Sequence, residues 1–310
     1  MMKNTFSLIA VFSITILIIF PKCDIVESPY MTSNNNTIND TNSFIKKVLI
    51  EDFTGHRCQN CPEAAEEIKS LQSFYEGQII ALAIHPNTTF SIPSPIGSSS
   101  YTYDFRTEWG NEIDNIFNIS MDGLPAGMVS RSGFNTEHRL GKDEWSNIVL
   151  QELSKDPYFG ITLNSNYSNN IANISIEIES LSNLSDEYNV VVCLAENNIV
   201  NWQKNTNTDL EDYQHNHVLR SIINSTLGES IGSSFQIGQK WNKDYIININ
   251  DLELYNNNYS INNLLAGNGN CGGWIAENME IIVYVYNTSN YAIEQVESIP
   301  LITETILPNK

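Results

Sequence analysis

Apolar and polar positions change their spacing several times along the chain. The first pattern is a continuous apolar run from Phe6 to Phe20, broken only by Ser7, Ser13 and Thr15 and preceded by Lys3. That length is short for a membrane-spanning helix and suits the core of an export signal over residues 1–22. No second run of this kind follows, which predicts a mature protein without a transmembrane helix. Residues 23–43 hold almost nothing to bury, Ser33-Asn-Asn-Asn-Thr-Ile-Asn-Asp-Thr-Asn-Ser43 most clearly, and predict a flexible tether.

Val48 to Phe53 then reads as a buried strand, running through a short loop into Cys58-Gln-Asn-Cys61. From Pro62 to Tyr75 the spacing is helical, with Ala64, Ala65, Ile68, Leu71 and Tyr75 on one face and Glu63, Glu66, Glu67 and Lys69 on the other, and Gly77 ends it. Gln78 to Ile84 is apolar throughout, as a central strand covered on both faces would be. Residues 87–106 lack periodicity and predict a loop, either plain surface or shaping access to Cys58. Trp109, Ile113, Ile116 and Phe117 predict a helix over 107–119. Ala126 to Arg131 predicts a strand, Ser132-Gly133 a turn, and Phe134 onward its hairpin partner. A helix over 143–155 closes an α/β domain spanning 44–156. Beyond Pro157 the period becomes two, in Ile174-Ser-Ile-Glu-Ile-Glu179 and again over 245–250 and 280–286, with Asn, Gly and Ser clusters between. This predicts a second, all-β domain over 157–310, an antiparallel sandwich of immunoglobulin-like architecture.

Length and charge narrow the function. A chain of 310 residues can carry separate cores, and a formal charge of -20 argues against a nucleic-acid partner, whose phosphates it would repel. Asn-x-Ser/Thr triplets such as Asn87-Thr-Thr89 are chance matches in so asparagine-rich a chain. Of the five cysteines, Cys23 directly follows the apolar core, where a bacterial lipoprotein carries its acylated cysteine. Phe20-Pro21-Lys22 lacks the small residues that cleavage there usually requires, so a plain secretory signal stands beside the lipid anchor. The remaining four are an even number in an oxidising, exported setting. Cys193 lies in the apolar Val190–Leu194 run and reads as a core thiol; a disulfide with Cys271, in Gly269-Asn-Cys-Gly-Gly273, is the alternative.

The strand that feeds Cys58-x-x-Cys61 at a helix N-terminus has a chemical purpose. Unpaired N–H groups and the positive helix end favour a thiolate at Cys58, the expected nucleophile, with Cys61 one turn away to resolve. A structural disulfide is the other reading of the same pair.

Asp52 and Phe53, six residues before the first cysteine, together with Pro125 in Met121-Asp-Gly-Leu-Pro-Ala-Gly-Met-Val129, resemble the thioredoxin-like superfamily. Departures are Arg57 where a tryptophan is usual, Gln59-Asn60 as the inner dipeptide, and Pro62 after the second cysteine. The resemblance implies a cis peptide before Pro125, opposite the disulfide, that frees the Leu124 backbone for a substrate strand and closes that face to metal. It also implies a buried Asp52 near Cys61, its pKa raised by desolvation so that it takes the resolving thiol's proton. A register shift of one residue would turn Glu51 inward instead. His56 is expected to lower the Cys58 pKa by partial positive charge and His85 to cap a strand, in preference to a copper or zinc site with the two cysteines. His215 and His217, two apart, should share one strand face and make hydrogen bonds rather than half a metal site. No cofactor and no metal is expected.

Phe53-Thr-Gly-His-Arg-Cys-Gln-Asn-Cys-Pro62, Ala83-Ile-His85, Gly123-Leu-Pro-Ala-Gly127 and His215-Asn-His-Val-Leu-Arg220 together resemble the 28-kDa outer-membrane-protein family of Gram-negative bacteria. The resemblance implies an exported, cell-envelope location at the outer membrane or in the periplasm. Two functions follow as expectations. One is thiol–disulfide oxidoreductase activity on protein thiol or disulfide substrates, with membrane attachment through a lipid on Cys23. The other is a surface-binding or adhesin-like lipoprotein in which a partner docks on the β domain and the disulfide is a staple.

Overall fold

The computed structural model describes residues 44–134, 136–206 and 208–303; the expected export signal, the tether and Cys23 lie outside them. The chain runs β1 (Val48–Phe53), α1 (Cys61–Phe74), β2 (Ile79–Ile84), α2 (Glu108–Phe117), β3 (Ala126–Val129), α3 (Lys142–Leu153), β4 (Phe159–Ser168), β5 (Ile171–Ser180) and β6 (Tyr188–Glu196). It continues through β7 (Ile199–Lys204), β8 (Asp209–His215), β9 (Val218–Ile222), β10 (Glu229–Gly232), β11 (Lys240–Asn248), α4 (Ile249–Asn263), β12 (Met279–Asn287) and β13 (Ile293–Pro300).

Strands that are apolar on both faces need cover on both, and the sheet meets this demand in a single mixed layer. Its order is β13-β12-β6-β9-β2-β1-β3, with β10 added beside β6, making eight strands. β1 and β2 are parallel, as the helix crossover between them requires, and β3 runs antiparallel to β1. Alternation then assigns each side chain. Leu49, Phe53, Leu82, Val191, Cys193, Ile282 and Tyr284 share one face with Ile113 and Phe117 of α2. On the opposite face, Val48, Ile50 and Ala81 pack under α1 and α3, whereas Val190, Val192, Ile281 and Val283 pack under the separate sheet β11-β5-β4.

The boundary expected after residue 156 therefore divides neither the large sheet nor its inner core. The N-terminal region is mixed α/β and the C-terminal region is β-rich in several sheets, but β6, β9, β12 and β13 extend the layer begun by β1–β3 instead of forming a free-standing sandwich. The sheet curls far enough for its ends to meet, the Ile293 N–H donating to the Ser130 carbonyl at 2.9 Å. Gln295 bonds the backbone of Ile45 and Lys47 across the same seam.

Other local expectations also change. Phe134 does not begin a hairpin strand: Ser130, Arg131 and Gly133 take positive φ and turn the chain, leaving only a bridge between Gly127 and Leu140. That turn sends the Arg131 side chain inward, where it forks onto Glu51 at 2.7 and 2.8 Å and also donates to the Tyr284 hydroxyl at 2.8 Å. Within the expected β domain, α4 is a helix whose apolar residues do not repeat at helical spacing; contacts from elsewhere hold it, such as Ser260 Oγ to Asp104 at 2.7 Å. Among the described residues Cys193 and Cys271 pair with no other cysteine, and both are buried, the latter's thiol donating to Asn257 at 3.0 Å. Among the described residues no helix is long and apolar enough to cross a membrane.

Arg131→Met strands the Glu51 charge in the inner core and should cost roughly 3–5 kcal/mol in urea unfolding. Adding Glu51→Gln should recover part of that loss, because the two residues are coupled; strictly additive losses would show that the pair does not act as a unit.

Candidate functional site

β1 ends against β2, Thr54 N–H donating to the Ile84 carbonyl at 2.9 Å, and the chain turns through Gly55 toward the cysteines. Gly55 is required there, since a Cβ would stand 2.5 Å from the Phe90 carbonyl oxygen. α1 begins at Cys61 with Pro62 in its first turn, a position where the missing N–H has no helical partner to lose. Cys58 and Cys61 form a disulfide with Cα atoms 5.4 Å apart. Both are covered, at 1% and 2% exposure.

The cover comes from distant parts of the chain. Residues 87–106 fold over the loop, with Arg57 N–H bonded to the Phe90 carbonyl at 2.9 Å and the Arg57 guanidinium on Ser94 at 2.7 Å and 5.3 Å from the Tyr101 ring centre. This segment therefore shapes the site. From the other side comes the β7–β8 hairpin: the Gln203 side-chain amide donates to the Cys58 carbonyl at 2.9 Å and the Gly55 carbonyl at 3.3 Å, and the Lys204 N–H donates to the His56 carbonyl at 2.7 Å. Sequence reasoning missed Gln203, which carries no local signal of its role.

Asp52 and Glu51 are both buried, on opposite faces of β1, and among the described residues only Glu51 has an ion-pair partner. Asp52 lines an inner cavity of about 40 Å³ together with Cys61, His85, Gln203 and His215. It also forms part of a larger cavity of about 400 Å³ between α1 and the hairpin, with Glu66, Lys69, Tyr213 and Asn216. Among the described residues its Oδ1 has no hydrogen-bond partner, and burial pushes its pKa up from 3.8 to about 7. The Leu124–Pro125 peptide is cis, and Pro125 precedes Ala126, which pairs with Phe53 at the end of β1 that leads to the cysteines.

The histidines differ from expectation. Burial pushes His56 down to about 3, so it stays neutral and lends Cys58 no positive charge. His85 is no strand cap: it stacks on Phe105 at 4.7 Å, neither ring nitrogen has a partner among the described residues, and burial holds its pKa well below the usual imidazole range. His215 and His217 do not share a strand face, because β8 ends at His215 and His217 sits at positive φ. His215 faces Phe105 and the Trp202 carbonyl, whereas His217 bonds Glu280 at 3.0 Å. A phenyl ring, Phe105, thus occupies the space between His56, His85 and His215. Among the described residues no group of three or more His, Cys, Asp or Glu is arranged to hold a metal ion.

No curated protein matches the sequence. The structure is similar to HBP35 of Porphyromonas gingivalis with a TM-score of 0.60, at 14% identity, over 87% of this chain and 82% of that one. A domain of the outer membrane lipoprotein Omp28 from Porphyromonas gingivalis aligns at 16% identity and a TM-score of 0.27, over 47% of this chain and 88% of that one. The model of the outer membrane protein Omp28 family matches residues 112–304, which span most of α2 to the end of the described strands. The chain belongs to this outer membrane protein family, and with it to the exported proteins of the cell envelope.

Proposed function

We propose that the protein exchanges disulfides with protein thiols in the cell envelope through Cys58 and Cys61. The observation that carries this reading is Asp52, an unpaired buried carboxyl lining the same small cavity as Cys61, with its pKa at about 7. A substrate thiolate attacks Cys58 Sγ, the Cys58–Cys61 bond breaks, and Cys61 departs with the electron pair. Protonated Asp52 supplies the proton that neutralises it. A second substrate thiolate then attacks the substrate sulfur of the mixed disulfide, leaving an oxidised substrate and a reduced pair; the same steps reversed reduce a substrate disulfide. The β1–α1–β2 unit, the antiparallel β3 and the cis peptide before Pro125 support a thioredoxin-like reading of residues 44–156. A lipid on Cys23 would tether the chain to a membrane.

A second reading is favoured by the burial of both sulfurs: the disulfide is a staple, and the β-rich region, read as an immunoglobulin-like sandwich closed by the β11-β5-β4 sheet, binds a partner at the cell surface. The reduction potential of the pair, measured by equilibrating the purified protein with glutathione buffers, separates the two. Exchange predicts a value between roughly -120 and -270 mV, and a staple one below about -300 mV.

Asp52 also makes stability depend on pH. Its carboxyl titrates at 3.8 as a free group and at about 7 in the fold, so between these values the folded state holds a proton that the unfolded chain has lost. Stability should fall as pH rises across that window. Asp52→Asn removes the effect: it should leave stability near pH 4 unchanged and raise it at pH 8 by roughly 2–4 kcal/mol in urea unfolding. Equal stability of variant and parent at pH 8 would mean that Asp52 is ionised at little cost.

A further inference from the structure

The covering of the disulfide has the hydrogen-bonding pattern of a bound peptide. Three carbonyls of the active-site loop, on Gly55, His56 and Cys58, point at the end of β7, and all three accept from it: His56 from the Lys204 backbone N–H, Gly55 and Cys58 from the Gln203 amide. Trp202 adds a ring contact to Tyr101 at 5.8 Å between centroids. Gln203, Cys58 and Cys61 are all buried.

The segment that makes these contacts is held lightly. Among the described residues β7 and β8 pair only with each other and belong to neither larger sheet. Most β8 side chains are exposed or half-buried, and of the hairpin's apolar residues only Ile199 packs against a core cluster, a small one of Tyr103, Phe105 and Val218. An element with few buried apolar contacts opens at lower free energy than the sheet beneath it.

We propose that the carbonyl strip from Gly55 to Cys58 is the docking strip for an extended segment of a polypeptide substrate, and that Trp202–Lys204 occupies it as an internal stand-in. The inference rests on the exchange reading and adds the substrate class. An unfolded or extended chain offers a free backbone N–H for the His56 carbonyl and a donor side chain in the place of Gln203. A backbone already paired in a folded domain offers neither, so the strip selects unfolded segments. The substrate displaces the end of the hairpin, and its sulfur then reaches Cys58.

Two variants test this in the full chain. Gln203→Leu keeps a side chain of similar size without its donors. Lys204→Pro removes the N–H at a residue whose predecessor is already extended, as a proline requires. The readout is the rate at which an unfolded, single-cysteine peptide reduces the Cys58–Cys61 disulfide, with thermal melting as the check on folding. Each variant should accelerate the reaction about tenfold, as removal of one or two competing hydrogen bonds allows. The same peptide N-methylated on the residues flanking its cysteine should lose that gain. Rates within twofold of the parent in both folded variants would overturn the proposal, as would equal gains for the plain and N-methylated peptides. Failure of the exchange reading itself shows separately, in the reduction potential of the pair, whatever these rates are.

Discussion

Inside the curled sheet Glu51 and Arg131 are fully out of water, where a lone charge would be several kcal/mol unfavourable, and each therefore depends on the other. Their contact needs β1 in register, the positive-φ turn after β3, and Tyr284 of β12, whose hydroxyl accepts from the same Arg131 Nη2 that bonds Glu51. Residues from both ends of the chain meet in that one network. The rings of Phe117, Tyr284 and Tyr286 surround the guanidinium at 4.6 to 5.8 Å, so the polar contact is also a packing contact for α2 and β12. A fold cut after residue 156 would leave Arg131 and Glu51 without Tyr284 and the inner face of β1 without cover.

The pairing of Glu51 settles the environment of Asp52. Successive residues on a strand face opposite ways, so placing Glu51 in the inner core places Asp52 on the side of α1 and the disulfide. One carboxylate has an arginine and the other has none. The same strand thus holds a structural charge and, one residue later, a carboxyl whose proton is exchangeable near neutral pH. Neutral histidines and aromatic rings around the cysteines extend the low-dielectric setting that raises it.

The β7–β8 hairpin joins the regions a second time, at the cysteine loop. It leaves the large sheet after β6 and returns to it at β9, and the excursion carries Gln203 and His215 to the cysteines. Cys58 is consequently covered in part by an element of the C-terminal region, and the disulfide at the head of α1 is buried.

Much of this was legible in the order of residues. α1, α2 and α3 show their period, because each buries one defined face and its apolar spacing records that face, whereas β1 and β2 are short runs covered on both faces and show by length and composition. The cysteine pair was legible through its spacing, and Asp52 and Pro125 through the resemblance to thioredoxin-like proteins, with Glu51 left as the alternative to Asp52. α4 was not, since it is held by polar contacts to distant loops and leaves no apolar stripe. The roles of His56 and His85 were misread because an imidazole's charge depends on burial, which residues far along the chain supply. The sequence by itself determined the local elements and the cysteine pair at the head of α1. Only the tertiary structure decided that one sheet spans both regions, that Asp52 and not Glu51 faces the disulfide, and that a hairpin some 145 residues downstream closes it. Period and propensity act over a few residues, whereas strand order, burial and the pKa values that follow from it come from contacts between segments far apart in the chain.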